Sequence, residues 1–256
     1  MDFGLAGKVA VVAGGSRGCG LAIARELARE GASVVLTGRN RDIVEAAAEA
    51  IRADGGAAYG LTTEMVSAED AARIAQAARD KFGDPGILVV NPPTPGNAAG
   101  FFEVTDEDYL RAHEYFNMPL VRLSREMIPA MQRGQWGRIV NMASVGIKQP
   151  HLKFLLYATN TRVAAAAIAK TMSFEFAKDN ITVNTIATGP FPSALADEYN
   201  KDAGYAADRI AKSTPMKRLG RTEEMAAMVS FLCSDRASFV SGETIRVDGG
   251  STFNLF

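Results

Sequence analysis

Lys8-Val9-Ala10-Val11-Val12-Ala13-Gly14-Gly15-Ser16-Arg17-Gly18-Cys19-Gly20 is the stretch whose reading decides the fold. A short apolar run ends in glycines, and residues 21–29 then repeat apolar side chains at helical spacing. Glycines let the backbone turn sharply and approach a diphosphate, and the start of the next helix offers free amides and the positive end of its dipole. A Gly-rich loop alone also serves as a tight turn. Set between the first strand and first helix of an alternating chain, it reads as a dinucleotide cradle built from Gly14, Ser16, Arg17, Gly18, Cys19 and Gly20.

The alternation is sustained. Apolar or β-rich runs at 8–13, 33–37, 57–61, 87–90, 138–142, 182–186 and 244–247 read as strands. Helical patterns at 21–29, 40–53, 68–82, 106–132, 153–178 and 222–234 lie between them. Thr105 is a plausible N-cap for the fourth of these, which Pro119 and Pro129 would kink. Short apolar strands joined through helices mark a parallel sheet buried on both faces. Right-handed crossovers then give an α/β, Rossmann-type, doubly wound parallel sheet of about seven strands, with ligands at the carboxyl ends. The 256 residues, 47% apolar and 22% charged, suit a single domain over 1–256.

Composition excludes other classes. A net charge of −1 and a pI near 6.2 leave no electrostatic footprint for nucleic acid or an anionic membrane. No apolar run approaches the roughly 20 residues of a membrane helix, and residues 1–8 lack the pattern of a secretion signal, so a cytoplasmic protein is expected. Cys19 and Cys233 do not suggest a disulfide framework, and the scattered His and Cys give no metal-ligand spacing.

Cofactor choice is read at the end of the second strand, here Thr37-Gly38-Arg39-Asn40-Arg41. An acid there would bind a ribose 2′-hydroxyl, whereas a basic residue accommodates a 2′-phosphate. With Arg39 at the tip and Arg17 nearby, NADP(H) is favoured over NAD(H). The bland alternative is that these arginines are solvated charges opening a helix.

A second stretch carries chemistry. Residues 139–144 read as an apolar strand delivering Ser144, and Tyr157 follows thirteen positions later (157 − 144) in the first turn of a helix. A hydroxyl and a phenol brought together can hold and protonate a carbonyl oxygen.

These features together resemble the short-chain dehydrogenase/reductase family, near its 3-oxoacyl-(acyl carrier protein) reductase-like members. Gly14, Gly18 and Gly20 match its Gly-rich loop, and Ser144 and Tyr157 match its catalytic pair. The 188–193, 215–220 and 247–250 segments match further motifs, including Pro-Met-Lys-Arg-Leu-Gly and Val-Asp-Gly-Gly. The resemblance implies Glu64 near the adenine pocket, Asn91 after the fourth strand, and Gly189 and Ser193 beside the nicotinamide. It implies a substrate lid at 194–214, a small-molecule carbonyl or alcohol as substrate, and a homo-oligomer, tetramer or dimer. The exposed ends of two long helices and the apolar 252–256 tail are the surfaces it offers for that assembly.

The same resemblance exposes departures. The family's Lys falls on Thr161, its Asn on Phe116 with Asn117 adjacent, and its Asn-Asn-Ala-Gly on Val90-Asn91-Pro92-Pro93. A unit charge ~5 Å from a phenolate at an effective dielectric of ~20 is worth about 3 kcal/mol, or roughly 2 pKa units. Thr161 can hydrogen-bond a ribose hydroxyl but cannot supply that charge, so slow turnover is expected. On a helical wheel Thr161 shares a face with Tyr157, whereas Arg162 reads as a surface charge pointing away. His151, Lys148 and Lys153 lie in the loop before Tyr157, and His151 has a pKa suited to acid–base work; His113 is a remoter candidate. Three functions stay open: an NADP(H)-dependent carbonyl or alcohol oxidoreductase acting on a mid-sized, partly apolar compound; a non-redox lyase, dehydratase or isomerase using Tyr157; and a nucleotide-binding protein with little catalysis.

Overall fold

In the computed structural model, described for residues 2–92, 101–150, 156–192, 211–212 and 214–255, seven strands form one sheet. The side chains of 156–160 lie outside the described residues, as do all of 93–100, 151–155, 193–210 and 213. The strands are β1 Val9–Ala13, β2 Ser33–Gly38, β3 Ala57–Thr62, β4 Ile87–Val90, β5 Gly137–Ser144, β6 Ile181–Thr188 and β7 Thr244–Val247. Their order is β3-β2-β1-β4-β5-β6-β7, and every pairing is parallel.

Strand alternation sorts the core into two layers. Ala10, Val12, Val34 and Leu36 point to one face, where α1 (Gly18–Arg29), α2 (Arg41–Ala53) and α7 (Thr222–Cys233) cover them with Ile23, Leu27, Val44, Ile51, Val229 and Leu232. Val9, Val11, Ala13 and Val35 point to the other face. There α3 (Ala68–Lys81), α5 (Met118–Gly134) and α6 (Leu156–Glu175) supply Ile74, Leu123, Met127, Ala165 and Met172. Strands buried on both faces need apolar residues at successive positions, which is why they read as unbroken runs.

One expectation is corrected. The predicted single helix over 106–132 is two, α4 (Asp106–Phe116) and α5, separated at Asn117. Thr105 does cap α4: its hydroxyl accepts from the Asp108 amide at 3.2 Å, and the Asp108 carboxylate accepts from the Thr105 amide at 3.0 Å. The break follows from Pro119, which lacks an amide for the Tyr115 carbonyl and is accommodated in the first turn of a new helix. Pro129 is tolerated inside α5.

The C-terminal residues are tied down rather than frayed. Arg246 of β7 donates to the Asn254 side chain at 3.1 Å and to the Asn254 carbonyl. Phe253 donates its amide to Gln149 at 2.8 Å, and the Asn254 amide group reaches the Lys148 carbonyl at 3.3 Å. The tail thereby rests on the corner that follows Ser144.

Candidate active site

The chain runs from β1 outward to β2 and β3, then returns to place β4 on the other side of β1. Neighbouring strands thus send their connections to opposite faces, and a crevice opens at the carboxyl ends of β1 and β4. Gly14 and Asn91 sit at this point. The Asn91 side chain donates to the Gly14 carbonyl at 3.1 Å, its backbone amide donates to Ala13 at 2.9 Å, and the Gly14 amide donates to the Thr37 hydroxyl at 3.0 Å. The loop is therefore clamped between β2 and β4.

Glycine is required at two positions here. Gly14 has φ +80°, and a Cβ on it would collide with the Asn91 carbonyl; a Cβ on Gly20 would collide with the Gly14 carbonyl. The loop consequently passes directly onto α1, whose N-cap residue Arg17 makes no side-chain capping bond and whose first turn holds no acid. Its first amides and dipole end face the crevice without a competing carboxylate, which suits a diphosphate. Ser16 lies beside Gly38 at the end of β2, where a Cβ would meet its hydroxyl. Arg17 and Arg39 are exposed, Arg39 immediately after β2. Among the described residues neither forms an ion pair. Glu64 is exposed just past β3. Cys19 is partly buried, and burial pushes its thiol up to about 11 against the lowering effect of its backbone hydrogen bond, so it stays neutral at physiological pH.

The candidate chemistry lies along the same edge. Ser144 ends β5 in register with Thr188 of β6, which pairs in turn with Val247 of β7. Its hydroxyl accepts from the Gly146 amide at 3.2 Å. Gly189 follows, its amide donating to Val247 at 2.9 Å; a Cβ there would meet Asp248. Tyr157 lies in the first turn of α6, and Thr161, one turn later, is 3% exposed. Ser193, His151, Lys153 and most of the expected 194–214 lid fall outside the described residues. The lid's exit is described: buried Thr214 accepts from the Arg218 amide at 3.2 Å and donates to the Arg218 carbonyl at 3.0 Å.

The expectation for Arg162 is corrected. Rather than standing off the surface, its guanidinium lies 4.3 Å over the ring of Phe116, which is 1% exposed at the end of α4. The wheel gave the direction correctly, but α4 packs against that flank of α6 through Ala112 and Phe116, with Tyr109 beside them. Burial pulls the guanidinium down to about 10, which leaves it charged at neutral pH. Neighbouring Asn117 is buried, with its amide nitrogen 2.5 Å from His113 Nδ1. Sequence reasoning missed this Arg–Phe contact, because periodicity reports an angle and not the neighbour found there.

Comparisons agree with this architecture. A family model described as enoyl-(acyl carrier protein) reductase matches residues 13–252. Dehydrogenase/reductase SDR family member 4 of Oryctolagus cuniculus is 32% identical over 251 residues, 98% of this chain and 96% of the relative. A 3-oxoacyl-[acyl-carrier-protein] reductase of Pseudomonas aeruginosa is 32% identical over 246 residues, 96% of this chain and 98% of the relative. The crystal structure of L-sorbose reductase from Gluconobacter frateurii, complexed with NADPH and L-sorbose, superposes with a TM-score of 0.92 at 34% identity and covers 100% of both chains. With the clamped glycine loop and the sheet order above, these matches place the chain in the short-chain dehydrogenase/reductase family.

Proposed function

We propose that this protein is an NADP(H)-dependent oxidoreductase that interconverts a carbonyl and an alcohol on a mid-sized, partly apolar substrate. The observation that carries the reading is the intact clamp of Gly14 between Thr37 and Asn91, opening onto an uncapped α1 at the same sheet edge as Ser144. Arg17 and Arg39, exposed and without an acid at the tip of β2, suit a 2′-phosphate. The NADPH complex of L-sorbose reductase supports the same choice.

The bound dinucleotide would supply hydride to the carbonyl carbon. Ser144 holds the carbonyl oxygen by a hydrogen bond, and the Tyr157 phenol donates the proton that completes the hydroxyl; oxidation runs these transfers backward. Thr161 hydrogen-bonds a ribose hydroxyl. Glu64, Asn91, Gly189 and Ser193 border the nucleotide, and 194–214 closes over the substrate.

A second reading, non-redox work at Tyr157, draws on the buried Thr161 and Phe116 at the family's Lys and Asn positions. One experiment separates the two: incubate the protein with NADPH and a panel of ketones, following NADPH absorbance and product mass together. Cofactor loss matched to alcohol formation is the expected result. Product formed without cofactor oxidation would favour the second reading instead.

A further inference from the structure

The two departures from the family's proton relay, at 116 and 161, meet in one wall. Phe116 closes α4 with its ring toward α6, and Arg162, the residue after Thr161, spreads its guanidinium on that ring at 4.3 Å. A guanidinium over an aromatic face is attracted by the ring quadrupole, most strongly where water is excluded. The seat is dry, since Phe116 is 1% exposed and its α4 neighbour Ala112 equally so. A full charge is thus held in the second turn of α6, in a medium that screens it weakly.

We propose that Arg162, braced by Phe116, is a positioning residue that restores the positive field lost with the family's Lys and draws the Tyr157 phenol toward ionisation. This rests on Tyr157 as the proton-transfer group. Five residues of helix separate the two, about 7.5 Å of axial rise. A charge ~10 Å away at an effective dielectric of ~20 moves a phenol by about one pKa unit, half of what an adjacent Lys gives. The two devices are alternatives, because a lysine introduced at position 161 would set a second cation beside Arg162 in the same wall. Phe116 fits Arg162 as Asn fits the family's Lys.

Other ionisable groups near this wall are accounted for. On α4, Tyr109 and His113 lie within two turns of Phe116, His113 pairing with Asn117; Tyr115 is its chain neighbour. Asp108 is taken up by Thr105 and Arg111, and Glu114 by Arg122. The ends of β5 and β6 that face α6 carry Asn141, Ser144, Thr185 and Thr188, none of which titrates near neutrality, and the Val145–Ile147 turn has no ionisable side chain.

The test is a near-ultraviolet titration of Tyr157, taken as the difference between the parent and Tyr157→Phe. Arg162→Met should raise that ionisation by about one pH unit, and Arg162→Lys should recover most of the shift. In a Thr161→Lys background, Arg162→Met should have little further effect, a non-additivity that a purely structural arginine would not produce. Carbonyl reduction, which needs the protonated phenol, should persist to higher pH in Arg162→Met by the same interval. Should Arg162→Met fail to fold, Phe116→Leu keeps the apolar volume but removes the ring face, and a smaller upward shift is expected. A folded Arg162→Met or Phe116→Leu protein with an unmoved Tyr157 titration overturns the proposal. Failure of the redox reading is distinguishable: the titration would shift while the parent reduced no ketone.

Discussion

Single side chains decide what this active site can bind and how fast it can work. Arg39 stands exposed directly after β2, where no acid competes for a 2′-phosphate. Arg39→Asp should weaken NADPH binding about 10- to 100-fold, the equivalent of one lost charge-assisted hydrogen bond, and should invert the preference toward NADH. Fluorescence titration with both nucleotides reads this; equal affinities in the parent would remove the basis for NADP(H). Thr161→Lys should raise the reductase rate, by about tenfold at most rather than the roughly hundredfold that two pKa units would allow. Arg162 already contributes part of that charge. A lower rate in Thr161→Lys would contradict the electrostatic account of this site. The Ser144–Tyr157 spacing and the missing Lys were plain in the sequence. The Phe116–Arg162 contact was not, since it needs the packing of two helices whose separation along the chain carries no signal.

At the scale of elements, the seven strands were legible because each is buried on both faces and therefore apolar throughout. Their ends moved by only one or two residues, as for β5, expected at 138–142 and found as Gly137–Ser144. The break between α4 and α5 was hidden, because a proline such as Pro119 is compatible with either a kink inside one helix or the first turn of another. The start of α7 offers a test of how such junctions are fixed. Glu224 accepts from both terminal nitrogens of Arg218 at 2.8 Å and from the Arg221 amide at 2.8 Å. The Arg218 guanidinium, aided by that amide, holds the Glu224 carboxyl down at about 2, below the ordinary 4.5. A folded value below the unfolded one means stability that is present above about pH 4.5 and lost as pH falls through about 2. Melting temperatures of the parent and Glu224→Gln should therefore differ above that window and converge below it. Curves separated by a constant interval at every pH would show that the carboxylate charge is irrelevant. Since Arg218 also anchors Thr214, this clamp fixes where the lid segment rejoins the core.

Across the whole molecule, the apolar surface left uncovered is organised rather than scattered. Val163 and Phe174 lie on one outer stripe of α6, eleven residues apart, and Phe174 is 72% exposed. Leu110 on α4 adds to the apolar surface. Such a face is expected to meet another copy of the chain. Phe174→Glu should convert the parent oligomer to a smaller species in light scattering while leaving secondary structure intact; a parent already monomeric would refute the assembly. The sequence announced apolar helices and an apolar tail, but could not say that Arg246 would fasten that tail to the Lys148–Gln149 corner. This fastening has a kinetic consequence. Phe253 and Leu255 are turned outward on the same few bonds that steady the corner after Ser144. A neighbour covering them would steady that corner too. The rate per molecule would then depend on how much protein is in the cuvette: dilution should raise KM before it lowers kcat, and a KM unchanged across the dissociation range would show that tail and corner move independently.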